Sequence, residues 1–86
     1  MQIVFSKGAI KSLKSLDKVM KKRIKIGIEG LTEIPPIGDI KMIQGYTPPI
    51  YRLRIGKYRV LYEYDNIDGE QVLLVHDIGS RGDIYK

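Results

Sequence analysis

Three arginines stand close together in the second half of the chain. Arg52 and Arg54 belong to one alternating run and Arg59 to the next, and only Gly56-Lys57 separates the two runs. A glycine-first loop of two residues suits a type II′ hairpin turn, which sets Arg54 directly opposite Arg59. Like charges facing each other across a strand pair are destabilising, whereas guanidinium groups match phosphate oxygens bidentately. The spacing therefore predicts a phosphate-binding site, with a solvated sheet face as the alternative.

The same register predicts which face of the hairpin is buried. It sets apolar residues opposite each other in three pairs, Ile55 with Tyr58, Leu53 with Val60 and Tyr51 with Tyr62. These pairs form a face for helices to cover. The opposite face carries the arginines together with Leu61 and Glu63.

A second basic and aromatic feature follows the last predicted strand. The segment Ile78–Lys86 contains Arg81 and Tyr85. An aromatic ring beside a basic patch can stack on an exposed base, which is worth about 1–3 kcal/mol per base. The alternative is that Tyr85 packs against the domain and fixes the C-terminal segment.

The elements that must hold these residues begin with a short strand, Gln2–Phe5, and a pair of helices. Ser6 can cap the first helix and Asp17 the second, since their side chains can accept hydrogen bonds from first-turn amides. Pro35-Pro36 ends the second helix because proline lacks the amide that a helix needs. The apolar stripes of the helices are Ile10, Leu13 and Leu16 in the first and Met20, Ile24, Ile28 and Leu31 in the second.

The second half of the chain changes to the two-residue period of strands. The predicted strands and links are, in order, the candidate short strand Asp39–Ile43, the turn-rich Gly45–Pro49, the runs Ile50–Ile55 and Tyr58–Tyr64, a turn at Asn66–Gly69 and a last strand, Gln71–Ile78. The order β-α-α-β-β-β predicts one α+β domain over residues 1–86. Its sheet is mostly antiparallel, with the N-terminal helical hairpin packed on one face.

Composition narrows the class of protein. The chain has 86 residues and a net charge of +5, from 15 Lys and Arg against 10 Asp and Glu, which favours a polyanionic partner. It has no cysteine, so neither a disulfide framework nor a cysteine zinc site is available. We find no signal peptide and no apolar run near the roughly 20 residues that span a bilayer. A cytoplasmic protein without membrane attachment is expected.

Three stretches carry a resemblance to a known family. The hairpin Tyr51–Tyr64 resembles the signature of the RelE/ParE toxin superfamily, in its RelE-like branch. Asp39–Gly45 resembles the short strand and glycine before that hairpin, and Ile78–Tyr85 resembles the family's C-terminal motif. With the β-α-α start, the resemblance covers essentially the whole chain.

The resemblance implies the toxin of a type II toxin–antitoxin system. RelE-like toxins are ribosome-dependent mRNA endoribonucleases that block translation without a metal or cofactor. They use the 2′-hydroxyl of the RNA as nucleophile, leaving a cyclic phosphate and a 5′-hydroxyl. Implied partners are the ribosome, mRNA and a largely helical, RelB-like antitoxin in a hetero-oligomer. The lysine-rich stretch Lys18–Lys25 could attract this antitoxin or ribosomal RNA, with a solvated helix face as the alternative.

The family's catalytic positions carry over to five residues of this chain, Arg52, Arg54, Arg59, Arg81 and Tyr85. The chain departs from the family at the first two, where the best-studied pattern has lysines. It departs again at Ser80, where many relatives have histidine. Arginine is effectively always protonated, so these arginines are expected to stabilise charge in the transition state rather than to act as a base.

The residue that takes the proton is therefore left open. Glu63 lies on the arginine face and Tyr85 in the tail, and either could act as the base; for Glu63 we favour a role in neutralising the arginines. His76 is the only histidine, and we expect a structural role for it. Its strand is predicted to alternate, so that His76 shares a partly apolar face with Val72, Leu74 and Ile78.

Two other functions fit the same sequence. ParE-like relatives poison DNA gyrase by protein–protein contact and cut nothing. The chain could also be a basic RNA-binding module without catalysis, or a degenerated toxin, since it departs from the lysines of the family pattern. Breakage of mRNA as opposed to DNA damage would separate the first two functions. Binding to programmed ribosomes without cleavage would indicate the third.

Overall fold

A computed structural model describes residues 1–80, which begin with strand β1 (Gln2–Phe5), helix α1 (Lys7–Lys14) and helix α2 (Lys18–Gly30). Both predicted helix caps are confirmed. The Ser6 hydroxyl accepts a hydrogen bond from the Ala9 amide at 3.0 Å, and Asp17 Oδ1 accepts one from the Met20 amide at 2.8 Å. These side chains satisfy first-turn amides that have no partner within the helix.

Four strands follow the helices, namely β2 (Asp39–Ile43), β3 (Ile50–Ile55), β4 (Tyr58–Ile67) and β5 (Glu70–Ser80). With β1 they form one sheet in the order β1-β5-β4-β3-β2, in which only the β1–β5 pair is parallel. The predicted α+β fold is confirmed. The observed order has one strand more than the predicted β-α-α-β-β-β, because the candidate strand Asp39–Ile43 forms and pairs with β3.

The hairpin register is as predicted from its turn. Arg54 pairs with Arg59, and Leu53 pairs with Val60. Gly56 has a φ of 58° and Lys57 is not in the positive-φ region, as a type II′ turn requires. The next turn differs, since β4 extends to Ile67 and the two turn residues, Asp68 and Gly69, both have positive φ. That is the pattern of a type I′ turn, which matches the twist of the strands it joins.

The core lies between the two helices and one face of the sheet. Its buried residues are Ala9, Ile24, Ile28, Leu31, Leu53, Val60, Tyr62, Leu73, Val75 and Ile78. The predicted stripe of α1 is wrong at one position, because Ile10 is 41% exposed while Ala9 is fully buried. The helix is rotated so that its small residue, rather than Ile10, lies against the sheet.

Three tyrosines cluster on the helix-covered face of the sheet. The Tyr51 and Tyr62 rings stack with centroids 5.6 Å apart, and Tyr64 meets Tyr62 edge-on at 5.7 Å. Burial raises the pKa of the Tyr62 phenol far above its usual value, and burial also raises the pKa of Tyr64, whose hydroxyl donates to the Leu31 carbonyl at 2.7 Å. These phenols are structural groups and lie on the opposite side of the sheet from the arginines.

A β-bulge interrupts the pairing of β4 with β5. Leu61 pairs with Asp77 and Tyr62 pairs with Val75, so His76 is the extra residue. A bulge lets two successive residues oppose one partner and shifts the alternation of faces beyond it. The prediction that His76 shares a face with Ile78 is therefore wrong, since Ile78 is buried in the core and His76 is exposed.

Candidate nucleic-acid interface

The face of the sheet away from the helices carries a cluster of charged side chains. We call this surface the basic face and define it by Asp39, Lys41, Arg52, Arg54, Arg59, Leu61, Glu63, His76 and Asp77. Cross-strand neighbours on one face lie about 5 Å apart, so each row of paired residues forms one line across it. One row is Asp39–Arg54–Arg59–Gly79 and the next is Lys41–Arg52–Leu61–Asp77. The predicted pairing of Arg54 with Arg59 is confirmed, and Arg52 lies on the same face of the sheet.

Arg52 is held by the edge strand. Its Nη1 lies 3.3 Å from Asp39 Oδ1 and donates to the Asp39 carbonyl at 3.2 Å. The Arg52 side chain is 13% exposed, whereas the Asp39 side chain is 61% exposed. The guanidinium is thus fixed in place by two acceptors, and a positioned cation loses less entropy when an anion binds.

Arg59 is incompletely satisfied within the described part of the chain. Its Nη1 is buried and has no hydrogen-bond partner there. A buried, charged donor without an acceptor is costly, and such groups are usually explained by a ligand or a functional role. Its cross-strand neighbour on β5 is Gly79, which has no side chain to cover it. Arg59 is therefore the candidate anion-binding residue of the basic face.

An open cleft of about 360 Å³ adjoins these two arginines, and its lining residues are Lys41, Met42, Ile43, Gln44, Arg52 and Arg59. Arg54 lies outside this cleft and is exposed. Three cationic side chains, one amide side chain and two apolar side chains therefore line the same cleft. Guanidinium and ammonium groups can bind phosphate oxygens, and apolar side chains can support a base or ribose.

Glu63 and His76 form a pair that the sequence did not reveal. His76 Nε2 lies 2.9 Å from Glu63 Oε1, with side-chain exposures of 41% and 16%. Within residues 1–80 the side chain of Glu63 is hydrogen-bonded to His76 and makes no ion pair with an arginine, so its expected role in neutralising the arginines stays a prediction. The one available signal was the break in alternation, where a run of four apolar residues, Val72–Val75, precedes two polar ones.

Two of the predicted site residues, Arg81 and Tyr85, lie outside the described residues. Their roles stay predictions. Residues 1–80 contain no group of three or more His, Asp and Glu side chains that could hold a metal ion. Over the same residues, no helix is long and apolar enough to cross a membrane.

Comparison with known proteins gives consistent matches. The sequence model of the ParE toxin of type II toxin–antitoxin systems, parDE, matches residues 3–85. Toxin RelE3 of Methanocaldococcus jannaschii is 32% identical over 77 residues, which cover 85% of this chain and 83% of that protein.

Solved structures show the same fold over nearly the whole chain. The archaeal RelE–RelB complex of Pyrococcus horikoshii OT3 contains a chain that is 25% identical, with a TM-score of 0.72 and coverage of 95% of this chain and 96% of that one. The RelB–RelE antitoxin–toxin complex of Methanococcus jannaschii gives 30% identity, a TM-score of 0.70 and coverage of 95% and 94%. The isolated RelE toxin of E. coli gives 25% identity, a TM-score of 0.72 and coverage of 98% and 89%.

Proposed function

The chain belongs to the ParE toxin family of type II toxin–antitoxin systems, and we propose that it is a ribosome-dependent endoribonuclease of the RelE kind, which cuts messenger RNA without a metal ion. Its similarity to Toxin RelE3 and to RelE chains in solved structures supports this branch of the family. The substrate is a phosphodiester bond of mRNA in the ribosome, and the nucleophile is the neighbouring 2′-hydroxyl.

The observation that carries the proposal is the buried Arg59 Nη1, which has no partner among residues 1–80 and lies on a face with two more arginines. When a 2′-hydroxyl attacks the adjacent phosphorus, negative charge accumulates on the phosphoryl oxygens. Fixed donors aimed at that charge lower the barrier because they need no reorganisation as the charge develops. A phosphoryl oxygen would supply the acceptor that Arg59 lacks, and Arg52 is already fixed beside the same cleft.

The partner in the resting complex is an antitoxin. Two of the similar structures are complexes of a RelE toxin with a RelB antitoxin. A largely helical chain with acidic residues would complement the net charge of +5 and would block the basic face by covering it. Toxicity then depends on release of that chain, which exposes the arginines to RNA.

A second candidate function rests on the family match itself, since the matching sequence model describes the ParE toxin. A toxin that inhibits DNA gyrase by protein–protein contact would use this fold without cutting RNA. Induced expression separates the two, because a gyrase inhibitor causes DNA damage while transcripts stay intact.

The test of the nuclease uses purified protein, ribosomes and a defined mRNA. Arg59→Ala is expected to lower the cutting rate about 100- to 1000-fold, as loss of one donor to an oxyanion does elsewhere. The matched control is Arg23→Ala, because Arg23 lies on α2, the helix that packs on the opposite side of the sheet from the basic face. Arg81→Ala and Tyr85→Phe are expected to reduce cutting as well.

Three results would contradict the proposal. Full cutting by Arg59→Ala would remove the arginine from the chemistry. Binding of the wild-type protein to programmed ribosomes without any cleavage would indicate a non-catalytic module. DNA damage with intact transcripts would indicate the gyrase inhibitor. Thermal unfolding of each variant shows whether a loss of activity reflects a loss of fold.

A further inference from the structure

The one histidine of the chain lies on the basic face, at the bulge in β5. Without the extra residue, strict alternation would place His76 and Ile78 on the same side of the sheet. With it, Ile78 stays in the core and His76 is exposed next to Leu61 and Asp77. The bulge therefore sets two polar residues, His76 and Asp77, side by side on the basic face, and bulges are over-represented next to active sites.

The hydrogen bond to Glu63 fixes which nitrogen of His76 is available. A carboxylate can only accept, so Nε2 carries the hydrogen and donates to Glu63 Oε1 at 2.9 Å. Within residues 1–80, Nδ1 has no hydrogen-bond partner, and its ring is 41% exposed. A histidine held this way presents a free lone pair, and the carboxylate stabilises the imidazolium that forms when it takes a proton.

Charged groups lie near the histidine on its own strand and on β4 and β3, whereas the other neighbouring strand, β1, has no charged residue. Glu63 faces it from β4 and Asp77 follows it on β5, while Arg52 lies on β3, across Leu61. The backbones of β3 and β5 are about 10 Å apart, since two interstrand spacings separate them. A ribose and its phosphate can lie across Leu61, with the phosphate toward the guanidinium groups and the hydroxyl toward the imidazole.

We propose that His76 Nδ1, oriented by Glu63, is the general base that takes the proton of the RNA 2′-hydroxyl at the basic face. This inference rests on the proposed nuclease function and adds the proton acceptor that the arginines cannot supply. His76 is the residue that contacts the substrate, and Glu63 is a positioning residue.

The step balances in atoms and charge. The 2′-hydroxyl proton passes to His76 Nδ1 as the bond from O2′ to phosphorus forms. The bond from phosphorus to O5′ breaks, and O5′ takes a proton from water. The products are a 2′,3′-cyclic phosphate and a 5′-hydroxyl, and the imidazolium returns its proton to solvent. The arginines stabilise the charge on the phosphoryl oxygens throughout.

The experiment measures single-turnover cutting on programmed ribosomes and, separately, the affinity for those ribosomes. His76→Ala is expected to lower the cutting rate about 100-fold or more, as loss of a general base does, while the affinity stays within about twofold. Added imidazole should restore at least part of the rate, because it can occupy the space of the missing ring. Arg59→Ala serves as a control that imidazole does not rescue.

Glu63→Gln tests the positioning role. It is expected to lower the rate about tenfold in the wild-type background and to have no further effect in His76→Ala, since the carboxylate acts through the ring. A purely structural Glu63 would instead lower the rate by the same factor in both backgrounds. Thermal unfolding of the single variants checks that the sheet is intact.

The outcomes separate the two proposals. If the wild type cuts mRNA and His76→Ala cuts at a rate within about threefold of it, the base assignment is wrong and the nuclease stands. Loss of cutting without rescue by imidazole, together with weaker ribosome binding, would make His76 a binding residue and would also overturn the assignment. If the wild type does not cut, the nuclease proposal fails and the base assignment fails with it.

Discussion

Asp39 is the acidic residue of the basic face that lies in ion-pair contact with an arginine of that face. It lies on the edge strand β2, opposite Arg54 in register and in ion-pair contact with Arg52. Its side chain is 61% exposed, so water screens the ion pair, and such pairs contribute little to stability. Its carbonyl also accepts from Arg52, so the guanidinium keeps one partner when the carboxylate is removed.

Removing this carboxylate should strengthen binding to RNA. Asp39→Asn is expected to tighten ribosome binding by about two- to fivefold at low salt, because it removes a negative charge that repels RNA phosphates. It is expected to lower the free energy of unfolding by less than about 1 kcal/mol. Glu33→Gln is the matched control, since it makes the same charge change in the exposed loop after α2. Equal tightening by both variants would mean that net charge, rather than this position, sets the affinity.

Some residues of the site could be predicted from the sequence and others could not. The arginines were predictable because a two-residue turn fixes the register of both strands. The pair of Glu63 with His76 was not, since it depends on an unpaired residue whose position is decided by packing between β4 and β5. Alternation assumes an unbroken ladder, so every residue beyond a bulge is assigned to the wrong face.

At the scale of elements, α2 approaches β3 through a glycine. A Cβ on Gly27 would clash with Ile55 Cδ1 and would lie 3.5 Å from Leu53 Cδ2. The absence of a side chain at Gly27 allows this close packing, at the cost of about 1 kcal/mol of helix propensity. The helix ends at Gly30 with Leu31 as its cap, before the prolines at which it was expected to stop.

This contact predicts that the effect of Gly27→Ala on the free energy of unfolding depends on the side chain at position 55. Gly27→Ala is expected to lower the free energy of unfolding by about 1 kcal/mol, because the steric cost exceeds the gain in propensity. In an Ile55→Val background, which lacks Cδ1, the same change should be neutral or should stabilise by up to about 1 kcal/mol. Urea unfolding measures both effects. Equal destabilisation in the two backgrounds would exclude the contact as its cause.

The order of the elements was easier to predict than their packing. Caps, prolines and turn glycines act locally, so Ser6, Asp17 and Gly56 could be assigned from the sequence. The rotation of α1 could not, because Ala9 is buried in place of Ile10 only as a result of how the helix lies on β5. Hydrophobicity alone favours the larger side chain, whereas the space available against the sheet favours the smaller one.

Over the whole molecule, the buried phenols make stability sensitive to alkaline pH. The pKa of Tyr62 is raised in the folded state, first by burial and then by its neighbours Tyr64 and Tyr51. The folded state therefore retains protons that the unfolded state releases. This stabilisation is fully present below the unfolded pKa of about 10 and is lost as pH rises beyond it.

The expected result is a fall in the urea midpoint between about pH 9 and about pH 11, because the unfolded state releases the Tyr62 proton more readily than the folded state. Tyr62→Phe should reduce this fall, since it keeps the ring and removes the ionisable hydroxyl. Tyr46→Phe is the matched control, because it removes the same hydroxyl from a tyrosine that is 50% exposed. An unchanged pH dependence in Tyr62→Phe would assign the alkaline sensitivity to other groups.

The parallel pairing of β1 with β5 also determines when the molecule can finish folding. Ile3 is paired with Leu73, and Phe5 with Val75, so the first strand has no partner until the last described strand has been synthesised. The strands from β2 to β5 are joined by short connections and can pair early, whereas closing a loop of this length comes late. During synthesis, β1 and the helices therefore cannot complete their packing on the sheet until β5 is available. A toxin with this topology gains its complete sheet, and with it a rigid basic face, only after β5 has been synthesised.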